Sequence, residues 1–509
     1  LEMPDSGPHN TRLIIDAVEN NTLSEGILDR AAERIVDLAL RGTRNKKKQF
    51  TVDYPRHHAL AKRAALESIV LMKNEGGVLP LSKKGDLAVI GALASRMRIQ
   101  GAGSSRVNPV KEENLFETLA KAATPAVGVT YAQGYRLDSG ATEKKMVEEA
   151  IETARQCRSV LVFAGIPEQM ESEGFDRRDM KLPDNQNHLI SELARLDANL
   201  VVVIVGGAPV ELPWFTQVHS ILTTYLSGQA AAGALVDILY GNACPCGKLA
   251  ETWPVSLAHN PSYLNFPGDR KTVNYAESIF IGYRYYQKKQ IQPLLPFGFG
   301  LSYTEFAYQN IAVSRARIAA GETLSVTADV TNTGAVAGKE TVQLYIAAPP
   351  NDAYPRPVRE LKGFVKTELL PGETKTVSFT LTHEDFAFYD PELSDWRVDA
   401  GVYRLQLAAS SEAICLEAEV EAEATKTRPA PLTPWSTLGD IAAHKNGPQV
   451  LARLFGQDDD APADDEQQSM GVNGSELARN MPLKKIVQMT RAEDPDRAME
   501  ELLQDLNAG

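Results

Sequence analysis

The chain contains the run Ser159-Val-Leu-Val-Phe-Ala-Gly165, which is apolar almost throughout and ends on a glycine. Similar apolar runs occupy residues 87–90, 200–205 and 221–225, and helical patterns at 144–155 and 186–196 lie between them. Apolar strands that alternate with helices are typical of a mostly parallel sheet with helices on both faces. In such a sheet, ligand-binding residues lie on loops at the carboxyl ends of the strands. We therefore expect functional residues in the loop that begins at Gly165.

That loop is rich in carboxylates. Between Gly165 and Arg178 its charged residues are Glu168, Glu171, Glu173, Asp176, Arg177 and Arg178. Crowded carboxylates repel each other, and this repulsion should raise at least one pKa toward the range that a general acid needs near neutral pH. Asp176 and Arg177 are suited to an ion pair that fixes the shape of the loop. A solvated acidic surface loop has the same composition, so the chemistry alone leaves both interpretations open.

The pattern changes after about Gly300 to one typical of β-structure. Residues 323–330, 341–346, 374–381 and 401–408 alternate between polar and apolar with period two, and turn-forming residues lie between these segments. Regularly spaced strands of this kind predict a β-sandwich of about 100 residues.

The two ends of the chain follow neither pattern. Near the start, the sequence predicts a helix that begins after Ser24 and ends at Arg41-Gly42, followed by a polar linker. After about residue 425 it predicts a short helix within 437–455 and a last helix at 495–506 with Asp494 as its N-cap. Between these helices, acidic runs at 458–460 and 464–466 favour a solvated segment.

Composition narrows the classes of function. The 509 residues carry 53 Lys and Arg against 66 Asp and Glu, and the net charge of −13 argues against a nucleic-acid partner. No stretch reaches the ~20 apolar residues that span a bilayer, so no membrane partner is expected. Four Cys cannot form a disulfide framework in so long a chain. Few Cys fit the cytoplasm and the periplasm equally well, so the localisation stays open, with the cytoplasm slightly favoured over the periplasm or secretion. No phosphate loop, His-Glu-x-x-His motif or zinc knuckle is present, so neither a metal nor a cofactor is predicted.

The acidic loop resembles that of a known family. Glu171-Ser-Glu-Gly-Phe-Asp-Arg177, followed by Met180-Lys-Leu-Pro183 and Gln186, is similar to the acid/base loop of glycoside hydrolase family 3 β-glucosidases. Further family motifs, in family order, are Leu1-Glu-Met-Pro4, Glu67-Ser-Ile-Val-Leu-Met-Lys-Asn74, Val78-Leu-Pro-Leu81, Gly103-Ser-Ser-Arg-Val-Asn-Pro109, Gly247-Lys-Leu-Ala-Glu-Thr-Trp-Pro254, Gly282-Tyr-Arg-Tyr-Tyr286, Pro296-Phe-Gly-Phe-Gly-Leu-Ser-Tyr303, Asn332-Thr-Gly334, Gly338-Lys-Glu340 and Glu360-Leu-Lys-Gly-Phe364. The tail after about 425 resembles an extension of some bacterial members.

The resemblance implies a multidomain architecture. Its parts are the end of a (β/α)8 catalytic barrel with a linker at 1–54, an α/β sandwich domain with the acid/base loop at 55–272, a connector at 273–300, a fibronectin type III-like domain at 301–424 and an acidic helical tail at 425–509.

The resemblance also implies the reaction. Retaining hydrolysis of terminal, non-reducing β-D-glucosyl residues by double displacement uses two carboxyl groups about 5–5.5 Å apart. Matching positions make Glu173 the acid/base, with Glu171 as its rival. Phe175 matches an aromatic position that borders the aglycone site, although a ring that stabilises the loop is equally compatible. Ser104, Ser105 and Arg106 resemble a loop near the glucose site, where they would bind sugar hydroxyls or brace the turn.

The nucleophile is where the sequence departs from the family pattern. In the family it is an Asp upstream of the position matching Leu1, and Asp5 does not match that position. A complete barrel takes about 250 residues. We therefore expect a two-part enzyme, in which a barrel-bearing segment or separate chain carries the nucleophile and this chain alone does not hydrolyse glycosides. The helices within residues 1–54 should then expose an apolar stripe.

Two other functions stay open. One is a non-catalytic carbohydrate-binding or structural module, and the other is a β-xylosidase or another glycosidase of the same family. The expected ligand is a β-glucoside or an oligosaccharide, and the tail helices would suit a homo-oligomer.

Overall fold

The computed structural model describes residues 7–47, 49–123, 127–351, 354–391, 393–425, 432–455, 479–489 and 494–507. The motif at residues 1–4, Asp5 and the acidic runs at 458–460 and 464–466 lie outside the described residues.

The described helices, apart from short 3-10 turns, are α1 (Pro8–Glu19), α2 (Glu25–Arg44), α3 (Tyr54–Ser68), α4 (Ala92–Ser95), α5 (Leu115–Ala122), α6 (Lys144–Arg155), α7 (Asp184–Leu193), α8 (Ala231–Leu239), α9 (Tyr283–Lys289), α10 (Leu438–Ala443), α11 (Gly447–Phe455), α12 (Leu483–Met489) and α13 (Pro495–Asn507). The strands are β1 (Val70–Asn74), β2 (Leu87–Ile90), β3 (Val129–Ala132), β4 (Ser159–Gly165), β5 (Asn199–Val205), β6 (Ser220–Thr223), β7 (Phe306–Val313), β8 (Arg317–Ile318), β9 (Thr323–Asn332), β10 (Gly338–Ala347), β11 (Glu360–Leu369), β12 (Thr374–Thr382), β13 (Phe388–Asp390), β14 (Asp395–Arg397), β15 (Gly401–Ala408) and β16 (Ile414–Ala422).

The first domain is built on the mostly parallel sheet that the sequence predicts. Its strand order is β1-β6-β5-β4-β2-β3, and only the β1–β6 pair is antiparallel. Along β4 and β5, Val162 and Val202 face one core while Leu161 and Val201 face the other. Helices α6 and α7 cover the first face, and α3, α5 and α8 cover the second. Because both faces are buried, the strands are apolar without alternation.

The direction in which successive strands are added to the sheet reverses at β2, because β3 is added on one side of it and β4 on the other. This strand pairs with β3 on one side and with β4 on the other, so the loops after β2 and β4 leave the sheet next to each other. A crevice at the carboxyl ends of two such strands is where open α/β sheets bind their ligands. The acidic loop follows β4 and therefore lies at this crevice.

The second domain is a β-sandwich. A sheet of order β11-β10-β15-β16-β8 packs on a sheet of order β12-β9-β7, with side chains such as Leu324, Val342 and Tyr403 fully buried between them. The sandwich contacts the first domain directly, since Lys248 lies 3.1 Å from Glu340 and the Gln343 amide donates to the Gly298 carbonyl oxygen at 3.0 Å. Leu295, in the segment 273–300, packs into the core of the first domain.

The ends of the chain are helical. Neither α1 nor α2 contains a buried residue, and Ile27, Ile35 and Leu38, which share one face of α2, are exposed as the expected apolar stripe. Helix α2 continues to Arg44 instead of ending at Arg41-Gly42. Helices α10 to α13 enclose a small core of their own, and the helix predicted within 437–455 is divided into α10 and α11. No helix in the described ranges is both long and apolar enough to cross a membrane.

Candidate active site

The acidic loop is fixed at both of its ends. At its start, the buried Gln186 side chain accepts from the Gly165 amide at 2.7 Å and donates to the Gly165 carbonyl oxygen at 2.9 Å. At its far end, Met180 and Leu182 are buried, and the Glu211 amide donates to the Met180 carbonyl oxygen at 2.8 Å. Between these anchors, residues 168–179 are exposed or partly exposed, so the acidic residues are presented at the crevice.

Glu173 meets the loop that follows β2. Its Oε2 atom accepts a hydrogen bond from the Ser104 backbone amide at 2.6 Å. Gly103 has a φ of +86°, and a Cβ atom there would lie 2.5 Å from the Cβ of Glu173. Only a glycine therefore allows this approach. The structure thus brings together two of the segments that the sequence singles out, the one around Ser104 and the one around Glu173.

Glu171 has a different environment from Glu173. Its carboxylate lies 2.5 Å from the Nη1 atom of Arg98, whose side chain is almost wholly buried. The Gly207 amide donates to the same carboxylate at 2.9 Å. Breaking this pair would leave the buried Arg98 charge uncompensated, which is costly. The rival candidate is therefore held in a structural ion pair, whereas Glu173 is exposed and, in the part of the chain that is described, has no cationic partner.

The ion pair predicted between Asp176 and Arg177 is not the one that forms. Arg177 lies 3.8 Å from the Glu171 carboxylate and donates to the Pro209 carbonyl oxygen at 3.4 Å. Asp176 is exposed. The reason is that Arg177 turns inward toward Glu171, which already lies at the buried edge of the loop. Arg177 thus braces the loop through a different carboxylate from the one expected.

The pKa of Glu173 is shifted in the direction opposite to the rise predicted from the crowding of carboxylates. Hydrogen bonds from Ser104 lower the pKa of Glu173, because they stabilise its charged form. The expected repulsion is weak because Arg98 and Arg177 compensate Glu171, and because Glu173 faces water.

A raised pKa does occur at Glu251, which the sequence analysis did not single out. Burial raises the pKa of this carboxyl, and the charge of Glu171 adds to the rise, while Tyr225 and Arg177 act in the opposite direction. Glu251 belongs to the motif at 247–254, which carries part of the family resemblance. Its proximity to Glu171 comes from the fold, and no local sequence pattern indicates it.

The other candidate residues lie around Glu173. Ser105 and Arg106 are exposed, and Arg106 lies 3.9 Å from Glu168. Phe175 is 51% exposed, so its ring is not part of a core. These side chains are available to a ligand in the crevice. Among the residues that the structure describes, no group of three or more His, Cys, Asp or Glu is arranged to hold a metal ion.

Family models match both domains. Residues 69–303 match the Glycosyl hydrolase family 3 C-terminal domain, and residues 340–411 match a Fibronectin type III-like domain. Fold and site therefore define the class as a family 3 α/β domain joined to a fibronectin type III-like sandwich.

Relatives extend this match to the whole chain. Thermostable beta-glucosidase B of Acetivibrio thermocellus is 42% identical over 507 residues, which is 100% of this chain and 67% of the relative. The chain belongs to glycoside hydrolase family 3. An Exo-alpha-(1→6)-L-arabinopyranosidase of Bifidobacterium longum is 37% identical over 89% of this chain and 60% of its own length.

Solved structures agree with this assignment. The GH3 beta-glucosidase of Bifidobacterium adolescentis has a TM-score of 0.80 at 38% identity and is matched over 88% of this chain and 65% of its own. Beta-glucosidase 3B of Thermotoga neapolitana, solved in complex with glucose, has a TM-score of 0.72 at 28% identity, over 82% of this chain and 62% of its own. The chain thus spans 60 to 67% of the length of these four relatives.

Proposed function

We propose that this chain is the acid/base-carrying part of a retaining β-glucosidase that acts on terminal, non-reducing β-D-glucosyl residues. The observation that carries the proposal is the contrast between two glutamates of one loop. Glu171 is held by the buried Arg98, whereas Glu173 is exposed at the carboxyl end of the sheet. A general acid must reach the leaving oxygen of the substrate, and Glu173 can do so without breaking a buried ion pair.

The proposed reaction has two steps with one proton donor. In the first, a carboxylate nucleophile attacks the anomeric carbon, the glycosidic bond breaks, and Glu173 donates its proton to the departing oxygen. In the second, the Glu173 carboxylate takes a proton from water, which attacks the glucosyl-enzyme and releases β-glucose. The hydrogen bond from the Ser104 amide stabilises the charged form that this second step needs.

The first step needs Glu173 in its protonated form. In the free chain the pKa of Glu173 is lowered by Ser104. In a complete site, an ionised nucleophile about 5–5.5 Å away disfavours a second negative charge, and a bound glucoside excludes water from the carboxyl. Both effects raise a carboxyl pKa. We propose that substrate binding supplies the shift that the acidic loop by itself does not.

We propose that a barrel-bearing segment or a second chain carries the nucleophile Asp. The relatives support this proposal, because each is longer than the part that this chain matches. Activity should therefore be assayed on the chain together with that barrel-bearing part.

The terminal sugar that the enzyme accepts is the part of its specificity that stays open. The relatives include beta-glucosidases and also Exo-alpha-(1→6)-L-arabinopyranosidases. A second candidate function is therefore cleavage of a different terminal pyranoside, such as an α-L-arabinopyranoside. Comparing nitrophenyl β-D-glucoside, β-D-xyloside and α-L-arabinopyranoside under equal conditions distinguishes these functions. No turnover of any of them by the barrel-containing assembly would favour a non-catalytic module.

The acid/base assignment is tested by replacing Glu173 with Ala in that assembly. Loss of the proton donor should slow the release of poor leaving groups, such as the second sugar of a disaccharide, by about 10²- to 10⁴-fold. Glucosides with a dinitrophenyl leaving group need no proton and should keep most of their rate of glucosyl-enzyme formation. Glu168→Ala, in the same loop, is the matched control and should leave the dependence on the leaving group unchanged. An unchanged dependence in Glu173→Ala would refute the assignment.

A further inference from the structure

Arg98 reaches from the segment after β2 to the acidic loop after β4. The Arg98 residue is 6% exposed, although it carries a charge. Its Nη1 atom donates to the Ile166 carbonyl oxygen at 3.1 Å and contacts the Glu171 carboxylate at 2.5 Å, while Nη2 donates to the Glu171 carbonyl oxygen at 3.0 Å. One buried side chain thus bonds to both the backbone and the side chain of the loop, and does so at two separated points.

A second strand end also holds Glu171. The amide of Gly207, the second residue after β5, donates to the Glu171 carboxylate at 2.9 Å. A Cβ atom on Gly207 would lie 3.2 Å from both carboxylate oxygens, so a side chain there would crowd them. The segments after β2 and β5, the two strands that flank β4, therefore both hydrogen-bond to the Glu171 carboxylate.

The consequence for Glu173 follows from chain geometry. Consecutive Cα atoms are 3.8 Å apart, so a residue two positions beyond a fixed one cannot move far from it. Gly174 follows with a φ of +95° and has no atom within 4 Å of its ideal Cβ position, so the chain beyond Glu173 adds little restraint. The fixed Glu171 backbone and the Ser104 amide thus both restrain the Glu173 carboxyl group.

We propose that Arg98 is a positioning residue for the general acid: by holding Ile166 and Glu171, it sets the place of Glu173 against the leaving oxygen. This inference rests on the proposed function, because it assigns Arg98 a role in the same reaction. In this proposal Arg98 acts on the rate through Glu173 and not through a contact with the substrate.

The test compares Arg98→Met with its matched control, Arg96→Met. Arg96 lies two residues away and is exposed, and its replacement leaves the loop contacts untouched. In the barrel-containing assembly, we expect Arg98→Met to slow cleavage of a disaccharide by about 10- to 100-fold, since a misplacement of about 1 Å costs a comparable factor. Cleavage of a dinitrophenyl glucoside should change much less. A purely structural defect would instead lower both rates by the same factor.

A second measurement does not depend on activity. In the 509-residue chain itself, amide hydrogen exchange of the segment 166–177 should become faster in Arg98→Met and stay unchanged in Arg96→Met. If Arg98→Met fails to fold, Glu171→Gln replaces it, because this variant removes the charge pair but keeps the size of the side chain and an oxygen that can accept from Arg98. Glu171→Gln should produce the same selective loss to a smaller degree.

The outcomes separate the two proposals. A cleavage rate that falls selectively for the disaccharide, together with faster amide hydrogen exchange in the loop, supports the role of Arg98. Equal loss on both substrates, or unchanged exchange, overturns it even if the unaltered assembly is an active glucosidase. If the unaltered assembly is inactive on every glycoside, the proposed function falls and the catalytic role of Arg98 falls with it. The exchange data then still decide whether Arg98 anchors the loop.

Discussion

The position of Glu173 depends on the absence of a side chain at residue 103. Gly103 adopts a φ of +86°, and an added methyl group would lie 2.5 Å from the Glu173 Cβ and 2.7 Å from its Oε2. We therefore predict that Gly103→Ala displaces the acid/base and slows cleavage of poor leaving groups by at least about tenfold. Comparison of kcat/KM for a disaccharide and for a dinitrophenyl glucoside checks this prediction.

Gly101→Ala is the control for that substitution. Residue 101 has no positive φ, and its added methyl group would meet only the Ser105 side chain at 3.2 Å, which can move aside. This variant should keep the wild-type ratio of the two rates. If Gly103→Ala also kept that ratio, the contact between Gly103 and Glu173 would have no role in catalysis.

At the level of single residues, sequence identifies the loop but not the division of roles within it. Glu171 and Glu173 are two positions apart and chemically identical, so spacing alone cannot assign their roles. The contact with Arg98 distinguishes Glu171 from Glu173, and Arg98 lies 73 residues before Glu171 in the chain. Local sequence is misleading for Arg177 as well. Its adjacency to Asp176 predicts an ion pair between the two, whereas in the structure Arg177 turns toward Glu171.

At the level of elements, α3 is tied to the sandwich by one carboxylate. Glu67, near the end of α3, forms an ion pair with Lys339 of β10 and lies 3.0 Å from Lys366 of β11. Burial alone would raise the pKa of Glu67, but hydrogen bonds from Lys339 and Lys366 lower it from 4.5 to about 2. A carboxyl whose pKa is lower in the folded state stabilises the fold at high pH and ceases to do so as the pH falls.

Glu67→Gln should therefore destabilise the chain at neutral pH. The stabilisation by Glu67 is complete above about pH 4.5 and is lost between pH 4.5 and about 2, so the variant and the wild type should converge in that window. Since the pair is partly exposed, we expect a loss of about 1 kcal/mol or less. Urea unfolding at pH 7 and pH 3 measures this loss of unfolding free energy. Glu117→Gln is the control, because Glu117 forms an exposed ion pair with Lys121 within one helix. A difference that grew toward low pH would contradict this account.

The elements themselves were largely predictable because their patterns are local. The strands β4 and β5 are continuous apolar runs, and helix α6 has the bounds that its periodicity predicts. The antiparallel direction of β1 was not predictable, since Val70-Leu71-Met72 is a short apolar run like those of the parallel strands in the same sheet. Its direction follows from its place beside β6, a long-range contact that no local pattern encodes.

At the level of the whole molecule, the fold brings a carboxylate to a crevice between two loops. The strand order places the segment after β2 against the loop after β4, and the Ser104–Glu173 contact is the result. The sequence predicted both segments through their resemblance to family motifs. It did not predict the raised pKa of Glu251, because burial and the charge of Glu171 are properties of the assembled domain.

The role of Glu173 is tested most directly by the product that the Glu173→Ala assembly forms in the presence of azide. If Glu173 is the acid/base of a retaining enzyme, azide should replace water as the attacking group, because it needs no general base. Nuclear magnetic resonance should then show glucosyl azide of β configuration, the result of two successive inversions, together with faster turnover of the dinitrophenyl glucoside. Absence of this product, with a rate that azide does not change, would contradict the assignment of Glu173.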